Sequence, residues 1–137
     1  KEKSIKLGIL IDPSSIISKA TTIKEGTIIC PFCSISFNSE LHENVLVNTS
    51  SIVGHDVEIK KNSVISSMVN LGGASTIEEE VYVGMGAQIK ETLHIARQSI
   101  ISMGAIVHKD VPEGLIVVGN PARPMRKNKD QQIFRKS

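Results

Sequence analysis

The sequence predicts an all-β chain wound as a parallel β-helix, a triangular prism assembled from six-residue repeats. Three observations carry that reading: an aliphatic column of period six, two companion columns of small and turn-forming residues, and a scarcity of aromatic side chains. Stepping by six from Ile11 meets only Ile, Leu or Val at seventeen successive positions, ending at Val107. An α-helix turns about 100° per residue, so a six-residue step would throw successive aliphatics off any common face. A short strand followed by a corner keeps them on one side. Three hexads then close one triangular coil of eighteen residues, and coils pair in parallel. Seventeen hexads make five to six coils.

The companion columns supply the corners. Two residues before each aliphatic stands a mostly small residue, as at Thr27, Cys33, Ser39, Ser51, Ser63, Ser75, Ala87 and Ala105. Three residues after it, Gly, Asn or Asp recurs, at Gly26, Asn38, Asn44, Asp56, Asn62, Gly86, Gly104 and Asp110. Those types tolerate left-handed backbone at tight corners. Aromatic residues make up 3% of the chain, so thin uniform layers of Ile, Val and Leu must fill the core. Cys30 and Cys33 form a lone "CPFC" with no second ligand pair, which reads as two small residues in a turn rather than a metal or redox centre.

The elements follow in order. Residues 1–10 are a lead-in, read as the end of a linker from an N-terminal domain. Residues 11–111 are the prism. Residues 112–137, with Pro112, Pro121 and Pro124, leave the coil as a loop, a short strand and a basic tail. A net charge of +2 without a basic stripe among aromatics gives no ground for a nucleic-acid partner. No apolar run reaches the ~20 residues that span a bilayer, so no membrane partner is expected. No signal peptide is visible, which makes the cytoplasm the default compartment.

Two stretches carry more than repeat grammar: "NTSSIVGHD" (48–56) and "VVGNPARPM" (117–125). With the hexads, they resemble the hexapeptide-repeat acetyltransferases, in the branch of bacterial UDP-4-amino-sugar N-acetyltransferases and sialic acid O-acetyltransferases. The resemblance implies a left-handed coil, acetyl-CoA as cosubstrate without a metal, and a homotrimer whose active sites lie between subunits. It makes His55 the general base that takes a proton from the acceptor amine or hydroxyl. Histidine suits the task, because an ordinary value of ~6.5 leaves it largely neutral yet basic near pH 7. Asp56 would fix the imidazole tautomer. Gly73, eighteen residues on and one coil above His55, would leave a slot for the thin pantetheine arm. Met85 and Met103, also eighteen apart, fall at cofactor-contacting positions and equally fit exposed or interface methionines. Gly84, Gly86 and Gly104 would bring backbone amides near the cofactor. Asn48 either orients substrate or base, or caps its own corner. Arg123, Arg126 and Lys127 are charge partners for the 3′-phosphate of the cofactor, or a solvated tail.

Two departures stand against the resemblance. Nine residues past His55, where several relatives carry a second His near the acetyl group, this chain has Val64. The amino-sugar enzymes also resemble one another in an N-terminal nucleotide-binding domain, of which this chain carries no Gly-rich phosphate loop. Expected, then, is acetyl transfer to the amine of a nucleotide-linked amino sugar for bacterial surface glycan synthesis, with sugar O-acetylation as the alternative. A trimeric scaffold without catalysis, and a metal-binding hexapeptide carbonic anhydrase type, are the readings of other classes. His42, followed by Glu43, is the second His–carboxylate candidate, and His94 and His108 are expected at other corners.

Overall fold

A computed structural model describes residues 5–129. Seventeen two-residue strands, from Leu10–Ile11 to Ile106–Val107, follow one another every six residues. They sort into three faces. The first face begins with Leu10–Ile11, the second with Ile16–Ile17 and the third with Thr22–Ile23, and every strand pairs in parallel with the strand eighteen residues away. The register is uniform: Ile52 faces Asn70 on the second face, and Val64 lies between Leu46 and Tyr82 on the first. This is a left-handed parallel β-helix of about six coils. Among the described residues no helix is long and apolar enough to cross a membrane.

The aliphatic column is the core. Leu41, Val47, Val53, Ile59, Ile65 and Ile77 are fully buried, each stacked on its counterparts one coil below and above. The column loosens only at the first coil, where Ile11 has 43% of its surface exposed. The small-residue column has a second task. Its hydroxyls are buried and donate to backbone carbonyls of the next coil: Thr27 to His42 at 2.8 Å, Ser39 to Gly54 at 2.8 Å, Ser51 to Ser66 and Ser63 to Glu78 at 2.7 Å. A larger polar residue would not fit there, and a purely apolar one would leave those carbonyls without that partner.

From Gly26 to Gly104 each corner turns through a left-handed residue. Gly26, Asn38, Asn44, Asp56, Asn62, Gly86 and Gly104 all have φ between 56° and 75°, as their types predict, whereas Asp110 is not left-handed. Phe32, Ser50, Met68, Ala74, Glu80, Thr92 and Gln98 take the same conformation, although nothing in their types asks for it. Position decides, because the corner amide bonds to the coil below: Asp56 N–H donates to the Phe37 carbonyl at 3.1 Å and Ala74 N–H to that of His55 at 2.7 Å.

The C-terminal segment holds two strands where a loop and one short strand were expected. Leu115–Val118 continues the first face in parallel with Ile100–Ile101, and Arg123–Lys127 returns antiparallel to it. Between them a cis Asn120–Pro121 bond turns the chain, and Ala122 N–H donates to the Ile106 carbonyl at 2.8 Å. The end of the basic tail, from residue 130 on, lies outside the described residues. A core substitution should therefore depend on depth in the stack. Ile59→Ala is expected to cost about 2–5 kcal/mol by denaturant unfolding, and Ile11→Ala, in the half-open first coil, clearly less. Equal losses at the two sites would contradict this layering.

Candidate active site

His55 sits at the corner between the second face (Ile52–Val53) and the third (Glu58–Ile59). Three contacts hold its ring. Nδ1 lies 2.7 Å from Asp56 Oδ2. The Phe37 ring, one coil below, stacks against the imidazole with centroids 5.4 Å apart and planes 11° from parallel. Above it is Gly73, where a Cβ would stand 2.6 Å from Nε2 and 2.7 Å from Cε1. The space expected to serve as a cofactor slot is therefore filled by the imidazole itself. Glycine at 73 makes room for His55, and this corrects the reading of an open gap.

Asp56 is an acceptor on both oxygens. Oδ2 receives His55 Nδ1–H, and Oδ1 receives the side-chain amide of Asn38, one coil below. The Asn38 amide first, and the His55 hydrogen bond second, hold its carboxyl below the ordinary aspartate range. An ionised carboxylate has no proton to give, so Nδ1 must carry the hydrogen of that bond. Nε2 then keeps its lone pair, which is the atom a general base uses. His55 remains accessible, with 55% of its side chain exposed.

The backbone under the ring is equally constrained. A Cβ on Gly54 would meet Gly73 N at 2.7 Å and the Leu71 carbonyl oxygen at 2.8 Å, so Gly54 is required by the coil above and is not merely an occupant of its column. Phe37, Asn38 and Gly54 are the site residues that sequence reasoning passed over. The signal that finds the first two is the eighteen-residue step taken backward from His55 and Asp56.

The other expected site residues stand elsewhere. Asn48, Met85 and Met103 lie on the corner between the first and second faces, so within one chain they do not meet His55. Asn48 Oδ1 accepts the Thr49 N–H at 2.8 Å, which fastens its own corner. Met85 and Met103 are exposed, at 43% and 70%. Val64 points outward from the first face, half-buried, and offers no donor. Arg123, Arg126 and Lys127 are exposed on the terminal strand. Cys30 and Cys33 are free thiols, and burial pushes that of Cys33 up.

The remaining histidines part from expectation. His42 bonds Glu58 of the next coil (Nε2–Oε1, 3.0 Å) and lies 3.5 Å from Oε1 of Glu40, two residues before it, so its carboxylate partners are these and not the adjacent Glu43. The ligating atoms of Glu40, His42 and Glu58 lie within 4.8 Å of one another. The Lys24 ammonium already stands there, 3.0 Å from Glu40 and 3.2 Å from His42 Nδ1, and supplies the positive charge. His94 belongs to a third-face strand and pairs with Glu78 at 3.0 Å. His108 shares the His55 corner after all, three coils up, about 14 Å at the spacing of paired strands. It lines a cavity of about 310 Å³ with Lys109, Leu115, Pro121 and Arg123.

The dyad should fail in a defined order. Because the folded-state value of Asp56 is depressed, its stabilising bonds are fully present above the unfolded value of ~3.9 and are lost as pH falls through the folded one. A ¹³C titration of the Asp56 carboxyl should give a midpoint below that of a free aspartate. Gly73→Ala should keep the fold, since Gly73 is not left-handed, yet displace the imidazole from Asp56. A crystal structure of the variant with the 2.7 Å contact intact would contradict this.

Comparison with solved structures gives three informative matches. The acetyltransferase domain of PglB from Neisseria gonorrhoeae FA1090 is 31% identical with a TM-score of 0.87, over 89% of this chain and 60% of that one, and its complex with acetyl coenzyme A matches equally. WeeI from Acinetobacter baumannii AYE is 34% identical with a TM-score of 0.82, over 84% of this chain and 57% of that one. PerB from Caulobacter crescentus, in complex with CoA and GDP-perosamine, is 25% identical with a TM-score of 0.70, over 88% and 58%. The chain thus spans about three fifths of each of these proteins. No family model and no curated protein matches it. In its repeat, its fold and these structural matches together, the chain is similar to acetyltransferases of the hexapeptide-repeat type.

Proposed function

We propose that the protein moves the acetyl group of acetyl-CoA to the amine of a sugar, with a nucleotide-linked amino sugar as the acceptor class and bacterial surface glycan synthesis as the setting. The observation that carries this is the His55 ring, clamped between Phe37 and Gly73 with Nδ1 committed to Asp56 and Nε2 left basic. Nε2 takes a proton from the amine as its nitrogen attacks the thioester carbonyl. The resulting imidazolium, stabilised by Asp56, returns that proton to the departing thiolate of CoA. The ligands of two similar structures, acetyl coenzyme A for the PglB domain and CoA with GDP-perosamine for PerB, support the choice of donor and acceptor class. Both kinds of substrate are cytoplasmic metabolites, which makes the cytoplasm the compartment of this reading.

Val64 offers nothing to the thioester oxygen, so in this reading the donor is a backbone amide. The Gly73 N–H, on the residue packed against the imidazole, donates to no group among the described residues and is that donor in this reading. Removing one such donor costs about 10²–10³ in rate in enzymes of acyl transfer.

The split of the candidate residues between two corners is resolved by a threefold assembly. Both corners border the second face. Turning three second faces toward one axis brings the Asn48, Met85 and Met103 edge of one copy against the His55 edge of the next. Exposed apolar side chains stand on the second face (Ile16 and Ile52) and its two edges (Phe32, Met68, Met85 and Met103 along one, Phe37 on the other), and the first face adds Leu10, Ile11, Ile28 and Val118. The third face exposes no large apolar side chain among the described residues, and carries the Lys24, Glu40, Glu58, Lys60 and Glu78 ladder instead. In this assembly the methionines face CoA from the neighbouring copy, and the cavity beside Lys109 and Arg123 receives the phosphate end of CoA.

His55→Ala should lower acetyl transfer to the best acceptor in a panel of nucleotide-linked amino sugars by roughly 10²–10⁴-fold. Wild-type rates in that variant would remove His55 from the mechanism. Ile52→Glu, on the second face, should convert a trimer to a monomer in light scattering and abolish transfer. A wild-type protein that is already monomeric at micromolar concentration would rule out the shared site.

A further inference from the structure

We propose that Phe37 and Asn38 are the positioning residues of the acetyl-transfer site, a stacked pair that sets the plane and the tautomer of His55 from one coil below. This rests on the reading of His55 as the base. The two residues copy the dyad at a displacement of eighteen. Phe37 lies under His55 with rings 5.4 Å apart and 11° from parallel, and Asn38 lies under Asp56 with its amide on Oδ1. Asn38 and Asp56 share the same left-handed backbone, both at φ 56°, and the Asp56 N–H donates to the Phe37 carbonyl at 3.1 Å. Side chains and backbone thus descend together from one corner to the next.

Each residue closes one freedom that Asp56 and Gly73 leave open. The His55 side chain has two torsions, and contact with Gly73 restrains only the upper side of the ring. The Phe37 face restrains the lower side, so the ring is held in a slab rather than resting on one wall. Asp56 alone can rotate its carboxylate and offer either oxygen. The Asn38 amide engages Oδ1 and leaves Oδ2 for Nδ1–H. A corner that served only the coil would not need an aromatic residue here: Phe37 is 55% exposed and contributes nothing to the aliphatic column. Nor is Asn38 needed for the turn alone, since glycine serves at the same column position in Gly26, Gly86 and Gly104.

The test reads the imidazole directly and needs no acceptor. In ¹⁵N-histidine-labelled full chain, with the rings neutral, the His55 resonances are identified among four histidines by their loss in His55→Gln. The wild type should show Nδ1 protonated and Nε2 bare. Phe37→Leu should broaden both signals through ring motion, and Asn38→Gly, which preserves the left-handed backbone, should shift Nδ1 toward the bare value as the Nε2–H tautomer grows. Phe37→Tyr, which keeps the stacking face, should restore the wild-type spectrum. Thermal melts identify any variant that fails to fold, and the pair of sites keeps one measurement in hand. In acetyl transfer, Phe37→Leu and Asn38→Gly should lower kcat by roughly ten- to a hundredfold with KM for acetyl-CoA unchanged. Unchanged His55 resonances in folded Phe37→Leu and Asn38→Gly would overturn the proposal. Full activity of His55→Ala would instead overturn the base assignment, whatever the spectra show.

Discussion

The rest of the molecule depends on one constraint, the parallel backbone pairing that sets residue n over residue n+18 from coil to coil. Once that register is fixed, every side chain has two assigned neighbours far away in sequence. Ile59 meets Leu41 and Ile77 in the core; His55 meets Phe37 and Gly73 at the surface. The same ladder that excludes water from the interior therefore also builds the polar site, without any loop or helix to carry it. A site made this way inherits the rigidity of the stack, because the corner amides from Asn44 to Gly104 are bonded to the coil beneath.

Such a stack offers an enzyme flat surfaces and edges. His55 stands in the open on its edge, whereas the cavity of about 310 Å³ lies three coils away along that corner. In the proposed threefold arrangement, enclosure comes from the neighbouring copies, with surfaces already apolar. The chemistry and the assembly are then one problem. The charged third face, where Lys24, Glu40, His42 and Glu58 satisfy one another, is left to meet solvent.

What was legible in the sequence is whatever the register repeats. The aliphatic column from Ile11 to Val107 announced strands, period and core, since each member faces the same environment. His55 is legible because it breaks that monotony and Gly73 because it lies eighteen residues on, whereas Asp56 is a regular member of the turn column. Less visible were residues whose roles come from a neighbour eighteen positions away. Phe37 reads as a stray aromatic until His55 is placed above it, and Gly54 as a common small residue until the Gly73 backbone is seen to press on it. Asn48 enters the candidate site through the resemblance, and because seven residues carry the chain across one whole face it stands apart from His55 within a single chain. The second terminal strand, Arg123–Lys127, was hidden because Pro124 argues against a strand, and an edge position tolerates it.

The left-handed corners also reveal where the surface matters. For a residue with a Cβ this conformation costs on the order of 1–2 kcal/mol relative to a right-handed turn, and glycine or asparagine would lower that cost. Yet Phe32 and Met68 hold it, at φ 61° and 57°, with bulky apolar side chains turned to solvent on the edge beside the second face. An isolated prism would be steadier and more soluble without them. Their presence, where the coil itself asks for a more comfortable residue, marks the edge that the proposed assembly touches.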